Sequence, residues 1–209
     1  MSELVIDHPR TEEDWQAVRD ICCETGAGGK PIEPKDRWPF FAEYWIGPYQ
    51  KLLPQWTFVA RENGKVVGYL TGCPETSGFN RRRALYHRSS LLVSALRGKW
   101  GNTEDVRRFL HPFEGARRAL QFRFGLKVFD LLRRRYPAHL HINVLEGKRG
   151  GTGRRIMNAC LGALDQQGVS GLHLFCGEGP VPFYRRVGFH RLARLDFGKG
   201  PVSVMVRRI

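Results

Sequence analysis

The sequence lacks any apolar run near the roughly 18 residues that a membrane-spanning helix requires, so no span is expected. It begins MSELVIDHPR, without the basic stretch and apolar core of a secretory leader, and a cytoplasmic location is the expectation. Cysteine is sparse and poorly spaced for a framework: Cys22, Cys23, Cys73, Cys160 and Cys176 are odd in number and contain no C-x-x-C. That argues against a disulfide scaffold or a structural zinc site, and the thiols read as small buried hydrophobes. Acidic residues are also short, with 20 Asp and Glu against 34 Lys and Arg. The resulting net charge of +14 attracts polyphosphates, nucleic acids, acidic proteins or anionic surfaces, and does not choose among them. No internal repeat or low-complexity tract is evident, and 209 residues suit one well-buried core, so a single domain over 1–209 is expected.

What is present divides into alternating and helical stretches. Residues 4–7 read as a short strand, and Thr11 with Asp14 three residues on makes a capping-box-like start to a helix whose apolar face carries Trp15, Val18 and Cys22. Gly26, Gly28 and Gly29 then break the chain. The aromatic stretch 37–53 reads as helix in pieces, interrupted by Pro39 and Pro48. Residues 57–61 and 65–71 flank Asn63-Gly64, the strongest short hairpin signal, because both residues tolerate positive φ. The basic stretch 77–135 has helical periodicity at Leu91, Leu92, Ala95 and Leu96 and again over 116–132, and reads as a helical insertion.

Leu140, Ile142 and Val144 alternate with His139, His141 and Asn143, the period of a strand. The run Lys148-Arg149-Gly150-Gly151-Thr152-Gly153 follows, then a helix with Ile156, Cys160, Ala163 and Leu164 on one face and Gly168 as its C-cap. Leu172, Leu174 and Cys176 mark another strand, 180–187 a short helix closed by Gly188, and 189–197 and 202–206 two last strands. Strand, glycine loop, helix, strand is a βαβ unit, whose strands run parallel. At such a helix start the first N–H groups have no intrahelical partner and the aligned peptide dipoles favour an anion. Lys148, Arg149 and Arg154 add charge at the rim. A P-loop is excluded, since no Gly-Lys-Ser or Gly-Lys-Thr occurs. A dinucleotide fingerprint lacks its third glycine, because Ile156 stands there. A tight connection with no ligand is the plainer alternative.

Residues 148–153 match the pyrophosphate loop [QR]-x-x-G-x-[GA] of the GNAT superfamily of acyl-CoA N-acyltransferases, with Lys in first place. The strings PFYRRVGF and NGKVVGYLTG also resemble that family's tyrosine-bearing short helix and its second hairpin. More narrowly, WIGPYQKLLPQWTFVARENGKVVGYLTG and YPAHLHINVL resemble the acetyltransferase-like domain of O-GlcNAc hydrolases and its stand-alone bacterial relatives. The resemblance implies an α/β (α+β) fold: a mixed, mostly antiparallel sheet with a central parallel, splayed strand pair, flanking helices and the helical insertion 77–135.

It further implies an acetyl-CoA-dependent N-acetyltransferase working by direct attack of an amine, with no metal. The backbone of Asn143, Val144 and Leu145 would hold the pantetheine arm. Lys148, Arg149, Gly150, Gly151, Thr152, Gly153 and Arg154 would surround the pyrophosphate, and Tyr184 would be the general acid. Glu75, Glu178 or water could take the amine's proton. The asparagine many members carry after the strand following the loop helix is missing, replaced by Gly177, Glu178 and Gly179. His139, His141, Asn143 and His173 read as packing or hydrogen-bonding groups in preference to a metal site. The positive surface favours acidic acceptors over polycations, and a homodimer is compatible with the sequence. The alternative, carried by Arg107, Arg108, Arg117, Arg118 and residues 133–135, is a module for nucleic acid or an acidic partner on a GNAT-like scaffold with little or no catalysis.

Overall fold

Asn63 and Gly64 both take positive φ, 50° and 78°, and turn the chain between β2 (Thr57–Glu62) and β3 (Lys65–Cys73). This computed structural model describes residues 3–111, 123–196 and 200–209. Five further strands join that hairpin: β1 (Leu4–Asp7), β4 (Ala138–Val144), β5 (Gly171–Cys176), β6 (His190–Asp196) and β7 (Pro201–Arg208). Their order is β1-β2-β3-β4-β5-β7-β6, and every neighbouring pair is antiparallel except β4 and β5. The mixed, mostly antiparallel sheet expected from the sequence is therefore present, with its parallel pair in the middle.

That pair is short. Ala138 pairs with Leu172 and His139 with His173, after which β4 and β5 continue without pairing. Over residues 140–144 β4 keeps its ladder with β3 on the other side. An opening therefore lies between the two parallel strands at their C-terminal ends, where β–α units bind ligands.

Alternation decides which helix covers which face. Leu140, Leu172 and Leu174 pack with Ile156, Met157, Cys160 and Leu164 of α8 (Thr152–Gln166) and with Tyr184 of α9 (Val181–Arg186) in the main core. On the opposite face Val59 and Tyr69 meet Trp15, Val18, Ile21 and Cys22 of α1 (Glu12–Thr25), with Ile46 beside them. Leu132 of α7 (Arg123–Arg135) packs there against Leu195, Val204 and Val206.

The capping box at α1 is complete: the Asp14 N–H donates to Thr11 Oγ1 at 3.3 Å, and the Thr11 N–H donates back to the Asp14 carboxylate at 3.2 Å. Pro39 and Pro48 do not interrupt helices. Each lies in the first turn of one, α2 (Trp38–Trp45) and α3 (Gly47–Leu52), where the missing N–H costs nothing. In the basic stretch α4 (Thr76–Arg82) runs through six π-helical residues, Arg83–Arg88, into α5 (Ser89–Leu96), followed by α6 (Glu104–Leu110). The helix expected over 116–132 lies outside the described residues up to 122 and is α7 from there on. Among the described residues no helix is long and apolar enough to cross a membrane.

Candidate functional site

Of the glycines expected to take conformations other residues resist, Gly150, Gly151 and Gly153, Gly151 does so. Gly151 has φ 91° and ψ −17°, a left-handed conformation, and caps α8 without a side-chain hydrogen bond. The Gly151 N–H donates to the Arg149 carbonyl at 2.7 Å, so that amide is engaged in the turn. The amides with no place in the helical ladder are those of Thr152, Gly153 and Arg154, one residue further on than the run's first glycines suggest. Gly150 and Gly151 face open space, where an added Cβ would meet nothing within 4 Å. Gly153 does not: a Cβ there would come within 3.2 Å of the Phe183 ring and 3.9 Å of Ile142 Cδ1. The helix start therefore sits where β4, α8 and α9 converge, beside the strand opening.

The basic residues of the loop divide. Lys148 is ion-paired with Glu62 of β2, and the Arg149 guanidinium lies against the Gly29 backbone, 3.2 Å from where a Cβ would stand. Arg154 is exposed and Thr152 is buried.

Backbone alternation refines the strand contacts. The Leu145 N–H donates to the Val67 carbonyl at 3.0 Å, which fixes the phase of the β3–β4 ladder. Asn143 and Leu145 thus turn their backbone groups toward β3, whereas Val144 and Ile142 turn theirs toward the opening. Of the three residues expected to line it, Val144 does so through its main chain. Ile142, which the sequence reading missed, does so beside it.

Tyr184 is buried on α9 between Phe183 and Phe189, with ring centroids 5.2 and 5.6 Å away. Its hydroxyl makes no hydrogen bond among the described residues. Burial, reinforced by the neighbouring Cys176 thiol, pushes the phenol well above its ordinary range and keeps it protonated. Glu75 and Glu178 are both engaged. Glu75 caps α4, accepting from the Ser77 and Gly78 amides at 2.7 and 2.5 Å. Glu178 accepts from Ser203 at 3.0 Å and Arg191 at 2.7 Å, and these hold its carboxyl below the usual range.

The other face of the opening is lined by the histidines. Tyr49 Oη and Thr76 Oγ1 lie 2.7 and 2.8 Å from the two nitrogens of His139, and the His173 ring is 6.0 Å away. Burial, with the field of neighbouring His173, pushes His139 down to about 3. His141 lies two residues on and is exposed to solvent. Its surroundings push it to about 4, so its imidazole is neutral near pH 7. Its Nδ1 is 3.3 Å from Tyr69 Oη, which accepts from Asn143 Nδ2 at 3.1 Å. The Trp45 ring stacks over it, centroids 6.3 Å apart at 18°. Among the described residues no group of His, Cys, Asp and Glu could hold a metal ion.

No family model matches the chain. Solved structures do. SsHAT is similar over 99% of this chain and 98% of its own, at 28% identity and a TM-score of 0.75. A GCN5-related N-acetyltransferase from Kribbella flavida aligns over 99% of this chain and 98% of its own, at 14% identity and a TM-score of 0.58. Ard1 from Thermoplasma volcanium aligns over 99% and 97%, at 15% identity and 0.57. The chain has the GNAT fold. At 14 and 15% identity the last two carry the fold alone. Within that fold the interrupted parallel pair and the helix start without a side-chain cap lie side by side.

Proposed function

We propose that this protein is an acetyl-CoA-dependent N-acetyltransferase. The observation that carries the reading is a coincidence of place: β4 and β5 part after two residue pairs, and α8 presents uncapped amides at that opening. The residues fit the proposed co-substrate. A diphosphate suits the free N–H groups of Thr152, Gly153 and Arg154, over Gly150 and Gly151, where no side chain intrudes. An extended pantetheine arm suits the unpaired backbone of Ile142 and Val144. When bound, acetyl-CoA supplies an activated acetyl thioester. The strings at 45–72 and 136–145 support the narrower likeness to the acetyltransferase-like domain of O-GlcNAc hydrolases.

The chain's own groups supply the rest. Tyr184, which stays protonated, is the hydrogen-bond donor to a departing thiolate, which takes up the proton that the attacking nitrogen sheds as the amide forms. Since Glu75 and Glu178 are committed elsewhere, neither is assigned as base. His141 is exposed as a neutral hydrogen-bonding group. A group pushed to about 4 is a poor base for an alkylammonium, so the amine gives up its proton to bulk buffer before binding and enters as its neutral fraction.

Calorimetric titration with acetyl-CoA tests the reading. Saturable binding is expected, abolished by Gly151→Asp, which sets a carboxylate at the anion cradle. Tyr184→Phe is expected to keep binding within about threefold and to lower kcat about 10²-fold, the usual weight of a positioned proton donor. Failure of acetyl-CoA to bind the wild-type chain would overturn the proposal.

A further inference from the structure

The acetyl acceptor is not assigned by any of the above, and the face of the sheet opposite α8 bears on it. Beyond the His139–His173 pair, the lips of the opening are aromatic. On the β4 side Trp45, 44% exposed, stacks on His141; on the β5 side Phe175, 40% exposed, meets Phe129 of α7, 45% exposed, with ring centroids 5.9 Å apart. His173 joins the two sides, 6.0 Å from His139 and edge-on to Phe175 at 5.8 Å. The exposed parts of Trp45, His141, Phe175 and Phe129, beside the opening between β4 and β5, are ring surface left to solvent.

Charge narrows the class. Glu43 of α2 is bound by Arg19 and Lys51 at 2.9 and 2.8 Å. Asp130 of α7 is bound by Arg133 and Arg134, each at 2.9 Å. Glu75 caps α4, and Glu178, after β5, is held by Arg191. The charged side chain whose field reaches His139 is the Arg83 guanidinium. These four carboxylates are each engaged, Glu146 in the turn after β4 is exposed, and the field at His139 is positive. A polyamine or a lysine-rich tail laid on the histidine face would lose hydration and gain no counter-charge from these four groups.

We infer that the acceptor is an amine borne on an aromatic body, whose ring lies between Trp45 with His141 on one lip and Phe175 with Phe129 on the other. This rests on the acetyltransferase reading for its chemistry, but not for its binding. Ring stacking and edge-to-face contacts supply the affinity, and the neutral His141 imidazole meets the amine nitrogen.

The test is binding of 2-phenylethylamine to the full chain without acetyl-CoA, followed by calorimetry, against spermidine and a lysine-rich peptide. Saturable binding of 2-phenylethylamine alone is expected. Trp45→Ala and Phe175→Ala should each weaken it about tenfold, while Trp45→Phe, which keeps a ring, stays within about threefold. Circular dichroism melts identify any variant that does not fold. Phe175→Ala and Trp45→Phe are on different elements, so one misfolded protein does not decide the outcome. Tighter binding of spermidine or of the peptide overturns the inference, as does 2-phenylethylamine binding that neither alanine variant changes. Acetyl-CoA binding without amine binding sinks the acceptor class alone. Amine binding without acetyl-CoA binding sinks the transferase reading and leaves the aromatic site standing.

Discussion

His139 and His87 share a property that sets the protein's response to acid. His87 is 2% exposed in the π-helical turn, neither ring nitrogen has a hydrogen-bond partner, and burial pushes it down to about 4. His139 stands at about 3, through burial first. Both therefore fold neutral from an unfolded value near ~6.5. A lowered folded value means that the unfolded chain binds more protons between the two, so stability is complete above about pH 6.5 and falls as pH drops toward 4 and 3. Asp14 acts in the same direction further down, since the Arg61 guanidinium holds its carboxyl far below the usual range through hydrogen bonds of 2.7 Å. Each such histidine contributes a slope of about 1.4 kcal/mol per pH unit inside its window. Urea denaturation between pH 7 and 5 should show this loss, and His87→Gln should reduce the slope by about one proton. A flat profile would mean that these rings are hydrated in the folded chain.

The elements were legible where local chemistry is strong, and the glycine loop shows how far that reaches. Gly151 holds a positive φ that a Cβ resists, whereas Gly150 has neither a positive φ nor a neighbour within 4 Å. Gly151→Ala should cost about 1–2 kcal/mol of stability and Gly150→Ala well under 1, measured by urea denaturation. Equal costs would contradict the geometry described. The same local logic made the hairpin at Asn63-Gly64, the Thr11 cap and the βαβ unit readable. What alternation could not give is order across the sheet, because β7 enters between β5 and β6 through non-local pairing that no short pattern encodes. Nor could it show that Pro39 and Pro48 start helices, or that Arg83–Arg88 is π-helical, since these depend on what the neighbouring turns pack against. At the site, Tyr184 and residues 148–154 were visible as motifs. Ile142 at the opening and the stacking of Trp45 on His141 were not, because strand phase and the approach of Trp45 from α2 belong to tertiary structure.

At the scale of the whole molecule the governing quantity is the net charge of +14, and the structure distributes it unevenly. Part of the basic character is locally neutralised: Arg108 pairs with Glu104, Arg133 and Arg134 with Asp130, and Arg37 with Asp105 at 2.7 Å. Lys148 is likewise tied to Glu62, whereas Arg154 stands exposed at the start of α8. A polyanionic co-substrate at that helix start would feel the residual field, which salt screens over about 8–10 Å. Acetyl-CoA affinity should therefore weaken about three- to tenfold between ~0.05 and ~0.5 M salt, as expected for a few exposed charge contacts. Arg154→Ala should flatten that dependence, and Lys148→Ala should change it less, because the lysine's charge is already answered. Duplex DNA provides the contrast. A surface that tracked its backbone through six or more phosphates would lose about 10³-fold or more in affinity over a smaller salt range. Titrating both ligands across the same salt series separates the readings. A steep DNA dependence beside acetyl-CoA binding indifferent to Arg154 would show that the basic surface serves nucleic acid and leaves the cofactor loop to its backbone amides alone.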